Sequence, residues 1–195
     1  ILPIHPAAPT HLKVAFIHER TPETSSWTSQ HEFGRTQLDT VFEGKVETFA
    51  YFNAVPGRTA DLLIEAAISH GADIVFTTSP KLVGASLRSA VKHPTVRILN
   101  CSMEMPYASI RTYYTRVYEA KFITGAIAGA MAGTDRIGYV ADYPSFGVPA
   151  NINAFALGAR MVNPRARIEL HWTCLPDQED PLAVFTRKGI TVVSG

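Results

Sequence analysis

Residues 19–35, ERTPETSSWTSQHEFGR, decide how this chain folds. They follow the apolar run Val14-Ala15-Phe16-Ile17, which reads as a buried strand, and lead into Gly34, Leu38, Val41 and Phe42, which keep the spacing of an amphipathic helix. The stretch is therefore the joint of a strand, loop, helix unit. Thr21, Pro22, Thr24, Ser25 and Ser26 make the loop polar. Ser29 is the expected helix N-cap, and Glu32 three residues later completes a capping-box pattern. One large aromatic, Trp27, sits at the tip. In an open parallel sheet such loops emerge at the carboxyl ends of the strands, where ligands bind. Trp27 there offers either a flat apolar face to a ring or an anchor that packs the loop onto the helix.

Outward from this joint the same alternation continues. Residues 46–55 carry alternating apolar positions up to the turn Pro56-Gly57, and a helix is expected over 59–70 with Gly71 ending it. Residues 73–77 (DIVFT) read as a third strand, 81–92 as a third helix, and 96–99 as a fourth strand. Short Val/Ile-rich runs alternating with helices require parallel crossovers and helices on both sheet faces, so this half is doubly wound α/β. Upstream, ILPIHPAAPTH reads as a Pro-rich linker-like lead over 1–11.

Downstream, 107–118 turns to aromatic and β-branched residues and is followed by EAKFITGAIAGAMAGT, a helix of small residues able to lie close to a sheet or another helix. Its apolar length of about 11 residues is too short for a bilayer, which needs about 20. Residues 137–140, 168–172 and 191–194 read as strands, 151–161 and 181–188 as helices. This second α/β series is short, and an incomplete second lobe is the expectation. The domain reading is a first lobe over 12–109, a crossover over 110–116 and part of a second lobe over 117–195.

The strand ends of the first half carry Glu19, then Thr77, Thr78 and Ser79, then Asn100 through Ser102, all polar or small and all beside the Trp27 loop. Hydroxyls in such places bind a ligand or satisfy free amides at the next helix start, and for Thr77 and Thr78 capping is the commoner role.

Composition excludes several classes. The chain has 195 residues, 46% apolar and 18% charged, which is ordinary globular material rather than disorder. With 18 basic against 17 acidic residues the net charge is +1, which gives no electrostatic footprint for nucleic acid. Residues 1–5 do not read as a signal peptide. Cys101 and Cys174 are too few for a disulfide framework and wrongly spaced for zinc, so both read as free packing thiols. The histidines, His18, His31, His70, His93 and His171 among them, form no metal spacing, and no Gly-x-Ser-x-Gly elbow or Walker loop occurs. GAIAGAMAG lies within a helix rather than between strand and helix, so it reads as close packing, not as a nucleotide loop. His31 and Arg35 share a helix face, either toward the site or in solvated or capping roles. No catalytic residue, metal or cofactor is expected.

Several blocks occur in an order that resembles a known family. They are Trp27-Thr28 with His31, Gly34 and Arg35; Arg116, Tyr118, Gly125 and Ala128-Gly129; Ile137-Gly138-Tyr139-Val140-Ala141; and Ile152-Asn153-Ala154-Phe155 with Gly158-Ala159-Arg160 and Asn163-Pro164. From Lys13 to Gly195 the chain resembles the basic membrane protein (BMP) family of substrate-binding proteins, which includes purine nucleoside receptors of bacterial ABC importers. The resemblance implies a type I periplasmic-binding-protein fold, two α/β lobes joined by crossover strands and closing on a ligand. It further implies a ring stacked on Trp27, a purine nucleoside or base as ligand, an ABC permease as partner, and an extracytoplasmic location as a lipoprotein or membrane-tethered domain. The candidate ligand-binding residues are Glu19, Trp27, Thr28, Thr77, Thr78, Ser79, Asn100, Asp142 and Tyr143. Two departures stand out. Thr24 occupies the place where the family loop usually has an Asp, with Glu23 as a substitute, and the expected aromatic after Trp172 is replaced by Thr173-Cys174-Leu175-Pro176-Asp177. A ligand-sensing domain of a receptor or regulator is the alternative, since the same lobes serve both roles.

Overall fold

A computed structural model describes residues 10–102, 107–144, 147–176 and 179–195; most of the linker-like lead lies outside them. The chain divides into two compact units, one reaching to Tyr114 and the other running Thr115–Gly195.

The first unit holds five parallel strands, β1 (Leu12–Ile17), β2 (Val46–Tyr51), β3 (Ile74–Thr77), β4 (Arg97–Cys101) and β5 (Arg111–Tyr113), in the spatial order β2-β1-β3-β4-β5. Between them run α1 (Ser26–Val41), α2 (Arg58–Ser69), a 3-10 turn (Pro80–Leu82) and α3 (Val83–Lys92). Side chains alternate across a strand, and the register uses this. Ala15, Ile17, Val75 and Ile98 share a core with Ala60, Ile64 and Ala67 of α2 and with Leu82, Ala85 and Ala90, all buried. Each such larger aliphatic side chain contributes about 1.5–3 kcal/mol on burial. The intervening positions of β1 and β3 carry Phe16 and Phe76, stacked at 4.9 Å, with Tyr113 edge-on to Phe76 at 5.4 Å.

Several expectations shift. The N-cap of α1 is Ser25, not Ser29: Ser25 is extended and its hydroxyl accepts from the Thr28 amide, so the helix begins a turn earlier. Glu32 makes no capping box because its carboxylate is engaged by His18 and Arg35. The second strand ends at Tyr51, before Asn53 turns the chain with a φ of 60°. Gly71, at φ +93°, follows α2 as expected, its amide bonded to the Ile68 carbonyl. The stretch 110–116, expected as a crossover, contains β5, which pairs with β4 and so belongs to the first sheet.

The second unit contains α4 (Val117–Met131), β6 (Arg136–Ala141), α5 (Gly147–Val162), β7 (Arg167–Trp172), α6 (Pro181–Arg187) and β8 (Val193–Ser194). Its three strands are parallel, ordered β7-β6-β8. α5 starts earlier than expected because Pro149 falls in its first turn, where a missing amide costs nothing. The small-residue helix packs on another helix: a methyl at Gly125 would overlap the Phe155 carbonyl, and one at Gly158 would overlap the Phe122 carbonyl. Phe155, Ala159, Ile137, Tyr139 and Ala141 form the core beneath this contact. Among the described residues, no helix is long and apolar enough to cross a membrane.

Candidate functional site

In a doubly wound sheet of order 2-1-3-4-5 the connections after the first and third strands leave in opposite directions, which opens a crevice at their carboxyl ends. Here β1 ends at Ile17 and β3 at Thr77, so His18, Glu19, Thr78 and Ser79 stand at that switch point. Trp27 is not at a loop tip, as the sequence suggested, but in the first turn of α1, because Ser25 caps that helix. The Trp27 indole Nε1–H donates to the Thr78 carbonyl at 2.7 Å, which ties the first turn of α1 to the residue after β3 across 51 residues of sequence. Trp27 is 40% exposed as a residue, and its ring lies 4.9 Å from the His31 ring, whose Nδ1 is 2.9 Å from the Trp27 carbonyl oxygen. The indole's polar edge is thus spent inside the protein while its apolar surface is partly open. Such a group can stack a flat ring but has no donor left to read its edge.

Thr77, Ser86 and Asn100 form one directed chain of hydrogen bonds. Ser86 Oγ donates to the Leu82 carbonyl at 2.9 Å, Thr77 Oγ1 lies 2.8 Å from Ser86 Oγ, and Asn100 Nδ2 donates to Thr77 Oγ1 at 2.8 Å and to the Ser79 carbonyl at 2.9 Å. Each hydroxyl has one proton to give, so the order is Asn100 to Thr77 to Ser86 to Leu82. Both amide donors of Asn100 are used, while among the described residues its buried Oδ1 has no partner, and neither has Ser102 Oγ nearby in sequence. A buried unpaired acceptor costs on the order of 1–3 kcal/mol and calls for a donor.

Thr78 is 1% exposed, with its hydroxyl 3.1 Å from the Ile17 carbonyl and 2.9 Å from His18 Nδ1. The capping role expected for Thr77 and Thr78 is therefore not found: both hydroxyls bond to neighbouring strands and side chains, and it is Ser79 that caps, accepting from the Lys81 amide. Thr28 is buried in the first turn of α1. Glu19 is half-buried and pairs with Lys81 at 3.6 Å. Asp142 and Tyr143 belong to the second unit, at the carboxyl end of its central strand, and both are exposed; Thr173 Oγ1 donates to Asp142 Oδ1 at 3.3 Å. The structure thus gathers Glu19, Trp27, Thr77, Thr78, Ser79 and Asn100 at one sheet edge and sets Asp142 and Tyr143 at the corresponding edge of the other unit.

One group escaped the sequence reading. His18, fully buried, puts Nε2 2.9 Å from Glu32 Oε1. Glu32 in turn receives Arg35 through both Nε and Nη2, and Arg35 Nη1 reaches Thr48 Oγ1 at 2.8 Å. Arg35 is therefore spent within this network. Burial lowers the His18 pKa, outweighing the Glu32 carboxylate beside it. Burial opposes ionisation of Glu32, yet Arg35 and His18 hold its carboxyl below the ordinary range. The Glu32–Arg35 spacing of three residues was a readable helical pair; its link to His18 carried no local signal. Cys101, next to Asn100, is buried and its thiol is pushed up to about 11, which suits packing rather than reactivity.

The chain is similar to known proteins over most of its length. The family described as ABC transporter substrate-binding protein, PnrA-like, matches residues 11–175. A purine-binding protein of Brucella abortus is 32% identical over 161 residues, covering 83% of this chain and 46% of that protein. A putative ABC transporter glucose-binding protein of Haloferax volcanii is 28% identical over 146 residues, covering 75% of this chain and 37% of that one. The chain thus spans less than half the length of the curated relatives it matches. Among solved structures, a solute-binding protein of an ABC transporter system from Conexibacter woesei superposes with a TM-score of 0.71 at 18% identity, over 94% of this chain and 63% of that one.

Proposed function

Since the chain belongs to the PnrA-like (BMP) family of ABC transporter substrate-binding proteins, we propose that it binds a purine base, nucleoside or similar flat-ring solute against Trp27 and presents it to an ABC permease outside the cytoplasm. The observation that carries this reading is the Trp27 indole, its N–H fixed on Thr78 and its ring partly open at the switch point of the first sheet. An aromatic pair gains about 0.5–1.5 kcal/mol beyond the area it buries, and the orientation of the platform is already set before any ligand arrives. Asn100 Oδ1, without a partner among the described residues, is buried, so a ligand's N–H or hydroxyl reaches it only when that edge opens. Glu19 and Ser79 stand at the same edge, whereas Thr77, Thr78 and Thr28 shape it from beneath. The purine-binding relative favours a ring over a plain sugar. Asp142 and Tyr143 are the candidate ligand groups of the second unit taken by itself, and the protein binds its ligand without transforming it.

Calorimetry with adenine, adenosine and glucose as probes tests the reading. Adenine or adenosine should bind and glucose should not. Trp27→Ala should weaken that binding by about 2 kcal/mol or more, as for a buried aromatic hot spot. Binding of glucose alone, or equal affinity in the Trp27→Ala protein, would sink the proposal. Recovery of split adenosine, lost in a Glu19→Gln or His31→Gln variant, would show an enzyme instead.

A further inference from the structure

The Trp27 platform has a support that the family reading does not contain. Starting from Arg35, a continuous run of polar contacts passes through Glu32 to His18, from His18 to the Thr78 hydroxyl, and from the Thr78 residue, by its backbone carbonyl, to the indole N–H of Trp27. Every junction lies between 2.7 and 2.9 Å, and His18 itself is 0% exposed.

Proton counting fixes the state of this run. Glu32, ionised beside Arg35, only accepts, so His18 Nε2 carries a hydrogen. For a neutral imidazole Nδ1 is then a bare acceptor, and the only hydrogen available to it is that of Thr78 Oγ1. The competing acceptor for that hydrogen, the Ile17 carbonyl, also receives the Thr78 amide at 3.0 Å and lies farther from the hydroxyl, at 3.1 Å against 2.9 Å for Nδ1. In the neutral state every group is therefore satisfied. If His18 took a second proton, Nδ1 would become a donor, Thr78 Oγ1 would have to accept, and its own hydrogen would swing to Ile17. The hydroxyl of the residue that anchors Trp27 thus reverses direction with the charge of His18.

We propose that His18 is a positioning residue for ligand binding: in its neutral Nε2–H form it orients Thr78, and through the Thr78 carbonyl it holds the Trp27 ring at the switch point. This rests on Trp27 being the ligand platform. Among the described residues, the titratable and charged groups that act on His18 are on α1: Glu32, His31, whose ring is 6.3 Å away, and Arg35. From the segments after β2 and β3 it meets the uncharged Phe52, stacked at 5.3 Å, and Thr78. Phe16 flanks it on its own strand. His18 is thus enclosed by two aromatic rings, which a phenylalanine in its place could also pack against.

The test reads the indole N–H of Trp27 by proton–nitrogen NMR on the ligand-free protein. The chain has two tryptophans, so Trp27→Phe assigns the signal. In the wild type the Trp27 signal should move on acidification with a midpoint below 6.5, the ordinary histidine value, because burial disfavours the imidazolium. His18→Phe should abolish that response and shift the neutral-pH signal toward that of a solvent-exposed indole. His31→Gln should leave the response in place. A folded His18→Phe protein with an unmoved signal and intact pH response would overturn the proposal, and so would a response that disappears with His31→Gln. Should His18→Phe fail to fold, Glu32→Gln decides. Removing the carboxylate that favours the imidazolium should lower the midpoint further, and an unchanged midpoint refutes the relay. With adenosine as probe, His18→Phe should weaken binding about tenfold, the size of one lost hydrogen bond. Because the NMR readouts need no ligand, failure of the relay and failure of Trp27 as a platform are told apart.

Discussion

The two α/β units begin with the same topology, second strand, first strand, third strand, yet they treat their carboxyl-end residues in opposite ways. In the first unit Thr77, Thr78, Ser79 and Asn100 are at most 5% exposed and bonded into two internal networks, and Trp27, bonded to Thr78, is 40% exposed. In the second, Asp142 and Tyr143 leave the central strand into solvent. The helices differ in the opposite sense. α2 and α3 cover the first sheet with ordinary alanine and isoleucine packing, whereas α4 and α5 of the second touch backbone to backbone at glycines. One unit is specific in its polar edge, the other in its helix contact. Trp27 and Trp172 fall one in each unit, so Trp172→Phe leaves a reporter of the first and Trp27→Phe a reporter of the second.

The sharpest way to break the comparison is Gly158→Ala. The added methyl would overlap the Phe122 carbonyl, a backbone atom that cannot swing aside, so α4 and α5 must separate along their whole contact. Overpacking of a close contact costs typically 1–3 kcal/mol, and this case should lie at the upper end, about 3 kcal/mol. Urea denaturation followed at Trp172 should show the loss, with Trp27 changing less. An unaltered Trp172 midpoint would mean that the helix contact does not hold the second unit together.

The same contrast explains what could be read in advance. Alternation of buried strands with helices is a local periodicity, and the order of elements followed from it; the glycines and alanines of 125–133 announced a close contact without saying whether with a sheet or with another helix. β5 stayed hidden because three residues, Arg111, Thr112 and Tyr113, carry no apolar run. At the site, the cluster of strand-end hydroxyls was legible from composition and the switch-point rule. Their partners were not. His18 and Thr78 are 60 residues apart, and nothing in either neighbourhood marks the other. Glu32 was misread for a related reason: Ser29 three residues before it offered a local explanation, and the distant one prevailed.

The next largest effect is expected at Thr77. Thr77→Val keeps the shape but removes the hydroxyl that accepts from Asn100 and lies against Ser86, in a place with no access to water. Leaving the Asn100 amide short of a partner should cost about 2 kcal/mol, within the range for an unsatisfied buried group. The loss should appear at Trp27 in the Trp172→Phe background. A Thr77→Val protein as stable as its parent would show that the polar edge of the first unit contributes no stability.

The smallest effect is the most diagnostic, because it has a sign and a window. Burial places the His18 pKa below its ordinary 6.5, so in the interval beneath that value the unfolded chain binds a proton that the folded one refuses. Stability rises with pH wherever the unfolded state holds more protons. The His18 contribution is therefore complete above 6.5 and is lost as pH falls below it through the folded value. Glu32 adds to the same direction later. Although burial alone would raise it, Arg35 and His18 hold its carboxyl below 4.5, so its contribution is present above 4.5 and lost as pH falls through its folded value. Glu169 of the second unit, held low by Lys188 and Arg136, acts only in that lower range. Between 6.5 and 4.5 the stability reported by Trp27 should therefore decline, and His18→Phe should flatten that decline while leaving the loss below 4.5. If His18→Phe declines as steeply as the wild type over this interval, some other group carries the acid sensitivity of the first unit, and its polar edge is held without the histidine.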